Sequence, residues 1–288
     1  MKMSLKGVDV SSYQGLIDWK KVKMNGIDFA ILKVIRKDLK PDSQFERNWS
    51  ECEKVGLPVQ GVYNYSYATT EMKARSDAKK VLEILGNRKP MVWLDVEDKC
   101  QMNLGYGLIA IINAYGKVIT DAGLKFGVYT GQSFYNSCIK PCGGIKYPLW
   151  IARYGSNNGE INMKYQPQIN GMVGWQYTSK GRINGIKGCV DLNVWYKELN
   201  DLNEPQKESH NPYKEPTRLL KRTKPFMQHG DDVKWLQYQL AIQGYFAEKE
   251  IDGWFGSKTE EAVKLFQSDM GIAVDGICGV ATRKCLKM

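Results

Sequence analysis

Residues 91–97 read MVWLDVE, an apolar run that ends in two carboxylates. Consecutive apolar residues that include Val and Trp are typical of a buried β-strand. Because side chains alternate between the two faces of a strand, Asp95 and Glu97 point to the same side. This segment therefore predicts a buried strand with a pair of acids at its carboxyl end.

Seven other segments have the same short apolar character, and amphipathic helices separate several of them. The eight predicted strands are residues 7–10, 29–35, 59–65, 91–96, 126–129, 149–153, 173–177 and 189–192. Predicted helices over residues 70–85 and 108–122 each carry apolar residues on one face and end before a glycine. Eight strands with intervening helices are typical of a closed α/β barrel, a (β/α) barrel. The connections after Phe126 are short and rich in Gly and Pro, so we expect an irregular barrel there.

Four carboxylates stand where such a barrel has its active site. Asp9 ends the first predicted strand, Asp95 and Glu97 end the fourth, and Asp191 lies in the eighth. Active sites of β/α barrels lie at the carboxyl ends of the strands. Acids in one cleft raise one another's pKa, so one can stay protonated and donate to a leaving oxygen. This is the chemistry of glycoside hydrolysis, although such acids can also cap loops or pair with basic residues such as Lys33.

Aromatic side chains accompany the acids along the predicted strands. Sugar rings stack on aromatic faces, and tyrosine hydroxyls orient polar ligands. A single aromatic residue is more often part of the core, whereas several beside the acids favour a sugar-binding cleft. The predicted substrate contacts are Tyr63, Tyr65, Tyr129, Trp150, Arg153 and Gln176.

Several segments resemble glycoside hydrolase family 25, the Chalaropsis-type lysozymes, and occur in that family's order. They are DVSSYQG at 9–15, IDW at 17–19, GVYNY at 61–65, LDVE at 94–97, LWIARY at 149–154, WQY at 175–177 and VDLN at 190–193. The resemblance implies hydrolysis of the β-1,4 bond between N-acetylmuramic acid and N-acetylglucosamine. It also implies Glu97 as the general acid, Asp95 as its partner, and Asp9 and Asp191 as the other cleft acids.

Two positions depart from the family's pattern. Val34-Ile35-Arg36 stands where a small residue followed by an acidic residue and glycine is common, and Asn64 stands where histidine is usual. We expect both departures to concern substrate contacts and to leave the acids unaffected.

A second domain follows the barrel. Residues 204–216 contain three prolines among polar residues and have no periodicity, which is typical of a semi-rigid linker. Residues 251–259 and 274–282 repeat the pattern apolar-Asp-Gly-x-x-Gly-x-x-Thr, in which Asp-Gly predicts a turn. This region resembles a small all-α, three-helix peptidoglycan-binding domain. The predicted organisation is a catalytic barrel at 1–203, a linker at 204–216 and a wall-binding domain at 217–288.

Local patterns also predict how two helices of this domain begin. Asp231 or Asp232 is a candidate cap for the first helix. Ser257 and Glu260 have the spacing of a capping box for the second helix.

The composition limits the classes of partner. The chain has 288 residues, with 41 Lys and Arg against 31 Asp and Glu, a net charge of +10. A basic surface suits an anionic polymer such as a cell wall, although a solvated basic surface explains it equally well. The sequence has no nucleic-acid motif, and its apolar runs are too short to cross a membrane. Two histidines are too few for the zinc site of an amidase or peptidase, and we expect no metal or cofactor.

The sequence therefore predicts a lysozyme that cleaves bacterial peptidoglycan for lysis of a host cell. No apolar segment of a secretory signal follows Met1. We thus expect synthesis in the host cytoplasm and action on the wall after release, as in a bacteriophage endolysin. A bacterial autolysin, a non-catalytic wall-binding protein and a hydrolase of chitin-like polymers remain alternatives.

Overall fold

The computed structural model describes residues 4–196, 211–243 and 245–287, which form two compact units. In the larger unit, eight strands close into a barrel in which each strand pairs with the next and β8 pairs with β1. The strands are β1 (Leu5–Val10), β2 (Phe29–Lys33), β3 (Val59–Tyr65), β4 (Met91–Asp95), β5 (Phe126–Gly131), β6 (Leu149–Ala152), β7 (Met172–Gly181) and β8 (Val190–Trp195). Strands β1 to β7 are parallel, whereas β8 runs antiparallel to both of its neighbours. The predicted irregular barrel is confirmed, and the direction of β8 is its main irregularity.

Helices occupy the connections between the first five strands. They are α1 (Trp19–Met24), α2 (Phe45–Val55), α3 (Glu71–Leu85) and α4 (Tyr106–Asp121). Thr70 caps α3 because its hydroxyl accepts a hydrogen bond from the backbone of Lys73 at 3.2 Å. Gly86, with φ of +58°, ends the same helix as its sequence predicts. After β5 the chain forms short helical turns such as α5 (Gln132–Phe134).

Large aromatic rings and glycines alternate around the inside of the barrel. The even-numbered strands contribute the buried residues Phe29, Trp93, Trp150 and Trp195, and the odd-numbered strands contribute Gly7, Gly61, Gly127 and Gly174. The rings contact one another at centroid distances of 5.1 to 5.8 Å. A Cβ on any of the four glycines would overlap one of these rings. The barrel interior is therefore a packed core, and the space for a ligand lies above it.

The smaller unit contains α6 (Asp231–Ile242), α7 (Ser257–Asp269) and α8 (Val280–Leu286), as predicted. Their apolar faces enclose a core that includes Leu236, Val263 and Phe266. The predicted caps are wrong. Helix α6 begins after Gly230 and α7 begins after Gly256, and neither glycine offers a side chain to accept a hydrogen bond. Ser257 is the first residue of α7, one position too late for a capping box.

The repeat in the sequence of this unit is also a repeat in its structure. In each repeat, a buried glutamine of the preceding helix donates to the aspartate, a backbone carbonyl and the threonine of the motif. Gln237 of α6 makes these bonds to the loop 252–259 at 2.9 to 3.1 Å. Gln267 of α7 makes them to the loop 275–282 at 2.8 to 3.1 Å. The repeated motif therefore encodes the same loop twice.

The boundary predicted at residue 203 and residues 204–210 of the predicted linker lie outside the described residues. Residues 211–216, which were predicted to be linker, belong to the helical unit, and Tyr213 packs against its core. The side-chain amide of Asn211 donates to the carbonyl of Trp235 at 2.9 Å, and Tyr213 packs edge-on against Tyr238. Within the described ranges, no helix has the length and apolar character that a membrane span requires.

Candidate active site

The four predicted acids meet at the mouth of the barrel, which is the edge where β1 to β7 end. Asp95 ends β4, and Glu97 follows two residues later. Asp9 lies on β1 directly opposite Asp191 on β8. Because β8 is antiparallel, Asp191 near its beginning lies at the same edge as the ends of the parallel strands. The four acids lie close enough that their charges affect one another's pKa, so they share one cleft.

Burial raises the pKa of all four carboxyl groups, and neighbouring negative charges raise the pKa of Asp95, Glu97 and Asp191 further. Burial is the largest cause in each case. The pKa of Asp9 rises to about 6 and that of Asp191 to about 8. The pKa of Asp95 lies well above its usual value because Glu97 and Asp9 repel its ionised form. The cluster therefore holds protons near neutral pH and can supply one to a leaving group.

Asp9 receives two hydrogen bonds from side-chain amides. Its Oδ1 accepts from Nε2 of Gln176 at 2.9 Å and from Nδ2 of Asn193 at 2.8 Å. Both bonds stabilise the ionised form and oppose the effect of burial on the pKa of Asp9. Asp9 consequently ionises at a lower pH than Asp191.

Buried aromatic residues orient these two amides. The hydroxyls of Tyr129 and Tyr154 donate to Oε1 of Gln176 at 2.8 and 2.6 Å. The indole of Trp150 donates to Oδ1 of Asn193 at 2.8 Å. Because each amide oxygen accepts these bonds, each amide nitrogen is left to face Asp9.

Three of the predicted substrate contacts, Tyr129, Trp150 and Gln176, are buried. Trp150 is 1% exposed and Gln176 2%, so Trp150 has no free face on which a sugar could stack. Tyr129 is also buried, and its hydroxyl is engaged with Gln176. We infer that these three residues position Asp9 and do not touch the sugar.

Tyr63 and Tyr65 line the mouth together with a lysine. Burial, followed by the charges of nearby acids, raises the pKa of Tyr63 well above its usual value. The hydroxyl of Tyr65 donates to Asp98 at 3.2 Å. Nζ of Lys33 lies 5.8 and 5.9 Å from the ring centroids of Tyr63 and Tyr65, and its charge lowers the pKa of Asp95. Lys33 thus places a positive charge beside the acids.

Arg153 follows β6 and is half-buried. Its guanidinium carbon lies 5.7 Å from the ring centroid of Tyr165, while its backbone carbonyl accepts from the indole of Trp175 at 2.8 Å. Its predicted contact with substrate stays a prediction.

Sequence analysis did not single out Tyr154, Asn193 or Asp98 as residues of the site. Asn193 lies two residues after Asp191 on the same strand, so the strand period already placed both on one face. Tyr154 follows β6 and bonds Gln176 of β7, a contact that no local pattern contains.

We expected the two departures from the family's pattern to affect substrate contacts, but their side chains make contacts within the protein. Asn64 faces away from the mouth and donates to the hydroxyl of Tyr115 on α4 at 3.3 Å. Its neighbours Tyr63 and Tyr65 face the mouth because side chains alternate along β3. In the other departure, Val34 and Ile35 are buried, and Arg36 donates to Asp38 on the surface.

Comparisons with known proteins agree with this geometry. Residues 8–186 match the model of glycosyl hydrolases family 25, and residues 229–286 match a peptidoglycan binding domain. An autolytic lysozyme of Clostridium acetobutylicum is 30% identical, and the match covers 96% of this chain and 77% of that protein. A lysozyme of Streptomyces globisporus is 27% identical over 66% of this chain and 67% of its own length.

Solved structures show the same likeness. The modular autolysin LytC of Streptococcus pneumoniae has 31% identity and a TM-score of 0.57 over 68% of this chain, which spans 47% of that protein. The catalytic domain of an endolysin from a bacteriophage of Listeria monocytogenes has 27% identity and a TM-score of 0.58. That match covers 70% of this chain and 98% of the endolysin domain. The chain belongs to glycosyl hydrolases family 25 and is a glycoside hydrolase.

Proposed function

We propose that this protein is a lysozyme that hydrolyses the β-1,4 bond between N-acetylmuramic acid and N-acetylglucosamine in peptidoglycan. The observation that carries this proposal is the cluster of four acids with raised pKa at the mouth of a family 25 barrel. The match of residues 229–286 to a peptidoglycan binding domain supports the same substrate. We further propose that it acts on the bacterial cell wall in lysis, as an endolysin or as an autolysin.

Glu97 is the general acid in this mechanism. Burial and the charges of Asp9 and Asp98 raise its pKa, so it carries a proton at higher pH than a free glutamate. It is also less buried than Asp95. A Cβ on Gly131 would lie 3.8 Å from Oε2 of Glu97, so the glycine leaves open space beside the carboxyl. The glycosidic oxygen can approach the proton there.

Asp95 lies beside Glu97 rather than across the sugar from it. Residues two apart on a strand have Cα atoms about 6.5 Å apart and parallel side chains. Asp95 is therefore badly placed to attack the far face of the anomeric carbon. Its Oδ1 is buried and has no hydrogen-bond partner among the residues that the structure describes. The N–H of the substrate's 2-acetamido group can supply that partner.

These positions favour a substrate-assisted, retaining route. The acetamido carbonyl oxygen attacks the anomeric carbon while the bond to the leaving sugar breaks and Glu97 protonates the leaving oxygen. Water then opens the cyclic intermediate and returns a proton to Glu97. Asp9, whose pKa of about 6 keeps it ionised at neutral pH, stabilises the positive charge that develops on the sugar.

Inversion is the alternative, with Asp191 activating a water on the other side of the sugar. A general base must be ionised, and a pKa of about 8 keeps Asp191 protonated at neutral pH, which disfavours this route. NMR of the first-formed product distinguishes the two routes, since the β-anomer means retention and the α-anomer means inversion. A covalent link between the sugar and Asp191, trapped and seen by mass spectrometry, would contradict both.

Mass spectrometry of digested peptidoglycan, reduced with borohydride, tests the function itself. We expect new reducing ends at N-acetylmuramic acid and no new amino groups. New ends at N-acetylglucosamine would indicate a hydrolase with a different specificity, and new amines without reducing ends would indicate an amidase or peptidase. Binding without new ends of either kind would indicate a non-catalytic wall-binding protein.

A further inference from the structure

We infer that the first repeat of the helical unit contains a carbohydrate-binding site centred on Trp254. The loop 252–256 and the beginning of α7 border a cleft of about 740 Å³, within the usual size of small-ligand sites. Met227, Phe246 and Trp254 form its apolar surface. The inference rests on the proposed function only in taking peptidoglycan as the ligand.

Trp254 is exposed, but contacts with neighbouring residues hold it in place. The residue is 45% exposed, and its ring lies 4.4 Å from that of His229. Its backbone carbonyl accepts from Gln237 at 3.1 Å, and its N–H donates to Asp252 at 2.8 Å. An aromatic face held in this way binds a sugar ring with little loss of side-chain entropy.

The second repeat shows that the loop itself does not require a tryptophan. Ile277 stands at the position equivalent to Trp254, and its carbonyl accepts from Gln267 at 3.0 Å in the same way. Val280 and Ala281 stand where the first repeat has Ser257 and Lys258. Because both loops keep the same hydrogen bonds, the residues that line the cleft are additional to what the fold needs.

The charges around the cleft favour a neutral polar ligand. Lys249, Lys258, Glu250 and Asp252 line it, which makes two cations and two carboxylates. Lys258 bonds Glu250 at 2.7 Å, and Asp252 accepts from Gln237 at 2.9 Å. No net charge is left to attract the carboxylates of a stem peptide. An N-acetylated amino sugar fits better, with its apolar face on the indole and its hydroxyl and acetamido groups at the polar rim.

Binding to purified peptidoglycan sacculi tests the site in full-length protein that carries Glu97→Gln, so that the wall is not cut. Trp254→Ile introduces the residue of the second repeat, which the loop accommodates. We expect the Kd for sacculi to rise about tenfold or more, as when a central aromatic contact is lost. Val280→Ala is the matched control, because Val280 is 73% exposed at the position in the second repeat equivalent to Ser257. It should leave the Kd unchanged.

Met227→Ala provides a second variant whose change lies outside the repeated loop. It should also weaken binding to sacculi. If Trp254→Ile lowers the melting temperature, Met227→Ala shows whether the loss of binding comes from the cleft or from a destabilised fold. Binding equal to the parent's in both variants would overturn the site. Sacculi stripped of stem peptides by an amidase identify the ligand, since the difference between Trp254→Ile and its parent should persist on bare glycan. Disappearance of that difference would mean that the site binds peptide.

The proposed function has a separate readout. The chain with Glu97 intact either releases reducing ends from walls or does not, whatever Trp254 binds. Reducing ends without Trp254-dependent binding would refute this site alone. Trp254-dependent binding without reducing ends would refute the lysozyme proposal alone.

Discussion

Asp9 and Asp191 lie directly opposite each other across the antiparallel pair of β1 and β8. Their side chains share a hydrogen bond, so one of the two carboxyl groups carries the proton. With pKa values of about 6 and 8, Asp191 keeps its proton in the pH range where Asp9 is ionised. The pair therefore offers a negative charge and a hydrogen-bond donor side by side in the cleft.

Glu97→Gln keeps the shape of the side chain but removes the proton that the leaving oxygen needs. We expect the release of reducing ends from walls to fall by about 10²- to 10⁴-fold, the usual range for general acid–base catalysis. Sedimentation with sacculi should show that wall binding persists. Glu83→Gln on the exposed face of α3 is the control and should keep full activity. Near-normal turnover of Glu97→Gln would remove Glu97 from this role.

Asp191→Asn should change how stability depends on pH. A carboxyl whose pKa is raised from 3.8 to about 8 on folding binds more protons in the folded state, so it destabilises the fold as pH rises through that window. We expect the variant to be more stable than the parent at pH 8, by on the order of 1–3 kcal/mol, and to lose this advantage near pH 4. Thermal unfolding at both pH values measures this. If the stability of Asp191→Asn differs from that of the parent by the same amount at pH 4 and at pH 8, the raised pKa of Asp191 is contradicted.

Gln176→Leu tests whether Gln176 acts through Asp9. Losing this donor should raise the pKa of Asp9, so the acid limb of the profile of kcat/KM against pH should move to higher pH. Stability should also fall by about 1–3 kcal/mol because the tyrosine hydroxyls lose their acceptor. Gln101→Leu removes an equally buried amide whose side-chain hydrogen bonds go to Ser66 and Ala68 and not to Asp9. The profile of kcat/KM against pH should not move in this control. If it does not move in Gln176→Leu either, Gln176 has only a structural role.

Asn64→Leu should affect stability and leave substrate binding unchanged. The change removes the hydrogen bond to Tyr115 outside the barrel, which we expect to cost about 1–3 kcal/mol. Denaturant unfolding measures the loss, and the KM for soluble glycan fragments should equal that of the parent. A raised KM with unchanged stability would show that Asn64 does affect substrate binding.

A chain that ends at Glu204 should fold alone, because a barrel of about 200 residues buries its own core. It should cut soluble glycan fragments but bind intact walls more weakly, through the loss of multivalent attachment. Circular dichroism and sacculus sedimentation check the two expectations. Insoluble truncated protein would show that the predicted boundary is wrong.

The amino-acid sequence alone was sufficient to predict the strands of the barrel, two of its helices and the helical character of the smaller unit. Short apolar runs located all eight strands, and the helical period with Gly86 located α3. The Asp-Gly repeat predicted two like loops, and the spacing of Asp95 and Glu97 predicted that both acids lie at the carboxyl end of β4. Each of these features depends on residues a few positions apart, so a local pattern encodes it.

The tertiary structure decided the direction of β8 and which buried side chains surround Asp9. Asp191 reaches the mouth because β8 is antiparallel, and nothing in the sequence of a single strand states its direction relative to its neighbours. The amides that bond Asp9 are 167 and 184 residues away in the chain. Trp150 looked like a sugar contact because a strand's period shows which residues share a face but not how deeply each is buried. Burial and hydrogen-bond partners arise from packing between distant segments, which only the closed barrel brings together.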